Sequence, residues 1–174
     1  FANTAWAFAK AGIDAHELFG AIADAAQSRL VEFKAQELAN TAWAFAKAGI
    51  DARELFGAIA DAARSRLGEF DVQNLVNTAW AFATARVEAH EFFSAIAVTA
   101  RPQLSQFSSQ AIANTAWAFA TARVEAHELF NAIAVTARPR LNEFDSQAIA
   151  NTVWAFATAG LEARNFFNAI ADTA

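Results

Sequence analysis

Three residue types recur through this chain in one register: a glutamine, an asparagine four positions on, and a tryptophan three positions after that. They stand as Gln36, Asn40 and Trp43, then Gln73, Asn77 and Trp80, then Gln110, Asn114 and Trp117, then Gln147, Asn151 and Trp154; the first appearance keeps Asn3 and Trp6. On a helix the offsets i, i+4 and i+7 share one face. Such a row offers recognition chemistry. An indole face stacks on a nucleobase for about 1–3 kcal/mol per base, and a carboxamide presents both donors and an acceptor to a base edge. The same side chains also have a structural use. An indole can wedge between helical hairpins with its N–H on a neighbouring carbonyl, and an asparagine can bridge to the next helix.

Cations follow the same period. Lys10, Lys47, Arg86 and Arg123 fall at or just past the end of the tryptophan-bearing helix, and His16, Arg53, His90, His127 and Arg164 share one later position. A strip of this kind suits a phosphate backbone; with acidic residues two or four positions away, it also suits a solvated rim. The histidines are the obvious acid–base or metal candidates. Arginine replaces them in two copies, though, and arginine neither ligates a metal nor acts as a base near neutrality. No serine has a His–Asp partner in the pattern, and neither a Gly-rich phosphate loop nor HExxH occurs. We expect no catalysis, no cofactor, no metal and no small-molecule substrate.

The elements that must carry these residues follow from the period. The motif around Trp6 returns at Trp43, Trp80, Trp117 and Trp154, every 37 residues, a spacing at which each copy is one supersecondary unit that buries its face on its neighbours. The copies read as about 1–33, 34–70, 71–107, 108–144 and 145–174. In 71–107 a first helix is predicted over about 72–85. Asp71 is its N-cap, like Ser108 and Asp145, whereas Lys34 is a poor cap. Phe33, Phe70, Phe107 and Phe144 each precede Leu38, Leu75, Ile112 or Ile149 by five residues, the spacing of a hydrophobic staple. Leu38, Thr41, Ala42 and Phe45 form the core-facing side, opposite the tryptophan. Gly12, Gly49 and Gly160 stand where a left-handed C′ residue belongs, with Arg86 and Arg123 in that place in the middle copies. An acidic residue (Asp14, Asp51, Glu88, Glu125 or Glu162) is expected to open a second helix, which carries an apolar stripe such as Leu55, Phe56, Ile59 and Ala63 and ends near Arg101-Pro102 and Arg138-Pro139. The fold class is all-α: an α-solenoid of five helical hairpins, about ten helices.

Composition agrees. The 174 residues are 56% hydrophobic and 18% charged, with six glycines and two prolines, which favours a packed helical array over disorder or sheet. A net charge of −5 argues against tight, phosphate-driven duplex binding. The absence of cysteine removes disulfides and thiolate metal sites. No stretch reaches the ~20 apolar residues of a membrane span, so membrane insertion is not expected. Both ends fall inside a repeat. We therefore expect a segment of a longer array, with any targeting sequence outside it.

The residues Gln-x-Leu-Ala-Asn-Thr-Ala-Trp-Ala-Phe-Ala-Lys-Ala-Gly, then Glu-Leu-Phe-x-Ala-Ile-Ala, then Arg-Leu-x-Glu-Phe, clearest in 36–69 and 110–143, resemble the heptatricopeptide repeats. They are also similar to the octotricopeptide repeats of proteins that often carry a RAP domain. The resemblance implies an organellar RNA-binding protein, in mitochondrion or chloroplast, acting in RNA metabolism or ribosome assembly. It assigns no base-reading positions. The reading surface expected here, Gln36, Asn40, Trp43, Lys47, Gln73, Asn77, Trp80, Arg86, Gln110, Asn114, Trp117, Arg123, Gln147, Asn151 and Trp154, rests on the helical faces. Single-stranded RNA is the expected partner. An armadillo-like peptide-binding scaffold, or an architectural subunit of a large ribonucleoprotein assembly, remains the alternative.

Overall fold

The computed structural model describes residues 1–161 and 164–171. These form ten α-helices in five hairpins and no strand. The first helices are α1 (Ala2–Ala11), α3 (Ala35–Ala48), α5 (Val72–Thr84), α7 (Ser109–Thr121) and α9 (Ser146–Thr158); the second are α2 (His16–Gln27), α4 (Arg53–Arg64), α6 (His90–Ala100), α8 (His127–Ala137) and α10 (Arg164–Ala171).

The caps explain where these helices begin and end. The carboxylates of Asp71 and Asp145 accept the backbone N–H groups of Asn74 and Ala148 at 2.7 Å, and Ser108 Oγ accepts that of Ala111 at 3.2 Å. Lys34 offers no acceptor; there Glu37 reaches back and accepts the Lys34 N–H at 2.8 Å. At the other end all five C′ residues are left-handed, including Arg86 and Arg123 at φ 55° and 54°. The following N–H closes each turn onto the phenylalanine carbonyl five residues back, as from Ile50 to Phe45 at 3.0 Å and Val87 to Phe82 at 3.1 Å.

The second helices begin differently from expectation. Their N-caps are Ala15, Ala52, Ala89 and Ala126, none with a side-chain cap. Asp14, Asp51, Glu88 and Glu125 stand one residue too early to cap. Asp14 and Asp51 instead turn sideways to His16 (3.2 Å) and Arg53 (3.5 Å). Glu162 lies outside the described residues. The helices end as expected at Ala100 and Ala137, before Pro102 and Pro139. The chain then continues in 3₁₀ turns, Arg101–Gln106 and Arg138–Glu143, with shorter counterparts Leu30–Glu32 and Leu67–Glu69 that sequence pattern did not reveal. Each turn leads into the staple phenylalanine, and Phe33, Phe70, Phe107 and Phe144 are all buried.

The first helices pack along their length, α1 on α3 and so on to α7 on α9, whereas the second helices touch one another at few points. The cause is small side chains: Ala42, Ala44, Ala79, Ala81, Ala116 and Ala118 are all fully buried. The first helices thus form one close-packed layer, and its face turned away from the second helices is the inner surface. Between the layers runs a ladder of phenylalanines from consecutive copies. Phe19–Phe45, Phe56–Phe82, Phe93–Phe119 and Phe130–Phe156 meet edge to face with centroids 5.0, 4.9, 5.1 and 5.1 Å apart. Each rung adds about 0.5–1.5 kcal/mol beyond its buried area, and each ties one hairpin to the next. Ion pairs such as Arg64–Glu91 (2.8 Å) and Arg101–Glu128 join the outer helices across the same seams.

Candidate nucleic-acid interface

Because the phenylalanine of each first helix faces the second-helix layer, the tryptophan two residues before it must face the opposite way, onto the inner surface. Trp43, Trp80 and Trp117 are half-buried, packing one side against the core; Trp154 is 46% exposed. Among the described residues no indole N–H donates to a protein acceptor, although the wedge arrangement would use that bond for anchoring. The asparagines Asn40, Asn77, Asn114 and Asn151 are half-buried and the glutamines Gln36, Gln73, Gln110 and Gln147 exposed. Among the described residues the one hydrogen bond within this row of amides runs from Gln73 Nε2 to Asn77 Oδ1 at 2.7 Å. The remaining carboxamides keep their donors and acceptors for solvent or a ligand.

The row changes along the array. Trp6, Trp43 and Trp80 touch in sequence, with centroids 6.2 and 6.3 Å apart and planes tilted by 37° and 33°. Among the described residues no ring contact joins Trp80 to Trp117 or Trp117 to Trp154. Lys10 Nζ lies 4.5 Å above the Trp6 ring, a cation–π contact. Between α5 and α7 a polar notch of about 180 Å³ opens, lined by Gln73, Val76, Ser108, Gln110, Ala111 and Asn114. Sequence reading found the amides but missed the notch. Its one signal was Ser108, read only as a cap.

Lys47, Arg86 and Arg123 are exposed at the C-terminal ends of the first helices. Arg123 and His127 border a cleft of about 470 Å³ between copies four and five; Lys47 and His16 border one of about 350 Å³ between copies one and two. The cations thus line one edge of the inner surface, beside the tryptophan row. Among the described residues no group of three His, Asp or Glu side chains is placed to hold a metal ion, and no helix is long and apolar enough to cross a membrane.

The family model for the RNA-editing substrate-binding complex 6 protein matches residues 1–103. The chain belongs to that family. Its role is therefore RNA-related, as a helical component of an RNA-editing complex. This match does not confirm the resemblance to the heptatricopeptide or octotricopeptide repeats; an RNA-associated helical protein is what the two share. No curated protein matches the chain significantly.

Proposed function

We propose that this array binds single-stranded RNA along its inner surface and holds it for an editing assembly in the mitochondrion, without catalysing a reaction or requiring a cofactor. A chloroplast location has no support in the family match. The observation that supports the reading is the row of half-buried indoles whose N–H groups have no protein partner, beside carboxamides that are mostly unbonded and a cationic edge. Bases would stack on the indoles and phosphates would run along Lys47, Arg86 and Arg123. The expected specificity is weak, because stacking is sequence-tolerant. The net charge of −5 favours a second reading, in which the more acidic outer surface docks proteins of the same complex. Retention of a random single-stranded RNA pool by the chain, measured at low and moderate salt, tests the first. Binding that weakens with salt is expected; no retention even at low salt would remove RNA from the inner surface.

A further inference from the structure

The array is periodic in sequence but not in its open face, and the irregularity falls at one seam. We propose that the junction of copies three and four is where an unpaired base of the RNA is seated and read by its edge; the inference rests on the RNA-binding reading above. Three features meet there. Helices α5 and α7 pack over less of their length than the other pairs of first helices. The contact that joins Trp6, Trp43 and Trp80 stops at Trp80. The polar notch opens between the same two helices.

The chemistry of the notch selects its occupant. Its volume of about 180 Å³ equals that of about six waters at liquid density, enough for one heterocyclic ring. No cation lines it, so a phosphate gains nothing there. Gln73 is oriented by its bond to Asn77 and keeps its Oε1 free; Ser108 Oγ accepts the Ala111 N–H and keeps its own proton to donate. Gln110 and Asn114 have no partner among the described residues, so each offers a donor beside an acceptor. A neutral planar edge with alternating donors and acceptors is the complement, and an unstacked nucleobase has one. Trp80 and Trp117 lie about one helical turn along the same face, with ring surface for the neighbouring base. Trp6 and Trp43 touch each other and Lys10 sits over Trp6, so copies one and two offer less free ring face and lean more on the strand's backbone, with Lys10 and Lys47.

Fluorescence anisotropy of the whole chain with a labelled single-stranded RNA, and with an abasic strand of the same length, tests the assignment. Wild type should prefer the base-bearing strand by about tenfold, the low end of one stacked and bonded base. Gln110→Ala with Asn114→Ala should lower that ratio several-fold, leaving what stacking on Trp80 and Trp117 supplies. Gln36→Ala with Asn40→Ala should weaken both strands and leave the ratio standing. Gln110→Glu, a single change at an exposed position, should also lower the ratio, with helicity checked by circular dichroism. A wild-type ratio of one, or a ratio unmoved by both seam variants, overturns the base seat while RNA binding through the backbone survives. Wild type that holds neither strand removes the RNA reading and the seat together.

Discussion

Copies one and two differ from copies three and four by a consistent set of exchanges on one scaffold. Lys10 and Lys47 become Thr84 and Thr121; Gly12 and Gly49 become Arg86 and Arg123; Asp24 and Asp61 become Val98 and Val135. The left-handed ends and the phenylalanine rungs do not change with them. The C′ residue stays left-handed at φ 65° and 68° in the glycines and 55° and 54° in the arginines, and the phenylalanine rungs keep their spacing. What changes is surface. The cation moves off the helix face beside the indole and onto the loop. The threonine hydroxyls that replace it are buried without a partner, and the outer helices expose Val98 and Val135, 68% and 76% accessible. The inner ladder and the caps set the fold, and the exchanged positions are free to set what each half touches.

The comparison breaks first if the core is not equivalent in the two halves. Phe45 and Phe82 are both fully buried, each meeting a phenylalanine of the preceding copy edge to face. Truncating either to alanine should cost about 3–5 kcal/mol in urea unfolding. Phe82 should be the costlier of the two, because it also contacts Phe92 at 4.9 Å. A loss near 1 kcal/mol at either position would mean that the seam collapses around the hole.

Much of this was legible in sequence because the signals were local. The period gave the hairpins, Asp71 and Ser108 gave helix starts, Gly49 gave the left-handed end, and a phenylalanine two residues from a tryptophan gave two opposite faces. What escaped was set by distance or by one-residue offsets. Asp51 resembles a cap but stands one residue before Ala52. Arg66 donates to the carbonyls of Val31 and Phe33, 3.3 and 3.1 Å away in the preceding copy, and no motif spacing announces a bond across 33 residues. The notch between α5 and α7 depends on how closely two helices approach, which their nearly identical faces do not encode. For the site, sequence supplied the side chains, and the structure supplied the difference between a row whose rings touch and one whose rings do not.

The second break concerns that difference. Trp80→Ala with Trp117→Ala should leave helicity and melting close to wild type, since both rings are only half-buried, and should weaken single-stranded RNA by tenfold or more in a binding titration. Trp6→Ala with Trp43→Ala should cost less affinity, because those rings touch each other and Lys10 covers Trp6, whereas Trp117 has no ring contact among the described residues. Equal losses in the two pairs would erase the functional contrast between the halves. A collapsed melting transition in the first pair would turn the indoles into wedges.

A smaller effect sharpens the contrast at the loops. Arg86 and Arg123 hold a conformation that costs a residue with a Cβ about 1 kcal/mol, and nothing lies within 4 Å of where a Cβ would stand on Gly49, so the strain is in the backbone alone. Arg86→Gly with Arg123→Gly should raise stability by about 1–2 kcal/mol in total and shallow the salt dependence of RNA binding. Stability gained with no change in salt slope would leave the two arginines outside the phosphate path.

The smallest effect separates the copies by pH. In the 3₁₀ turns Arg66 grips Glu69 at 2.9 Å and Arg140 grips Glu143 at 2.8 Å. The guanidinium's hydrogen bonds hold each glutamate below the usual carboxylate range and raise the arginine in return. A carboxylate lowered in the folded state contributes stability above its unfolded pKa, about 4.3, and loses it as pH falls through the lower folded value. Copy three carries Gln103 and Gln106 at these positions and has nothing there to titrate. Both glutamates are exposed, so the loss is small and screened by salt. Urea midpoints followed downward from pH 5 at low salt should show a shallow decline that Glu69→Gln with Glu143→Gln flattens, leaving the midpoint at pH 7 slightly lower than wild type. An unchanged slope in that variant would mean that the 3₁₀ turns are held by the buried Leu67, Phe70, Leu141 and Phe144 alone, and that copy three differs from its neighbours in nothing that stability can detect.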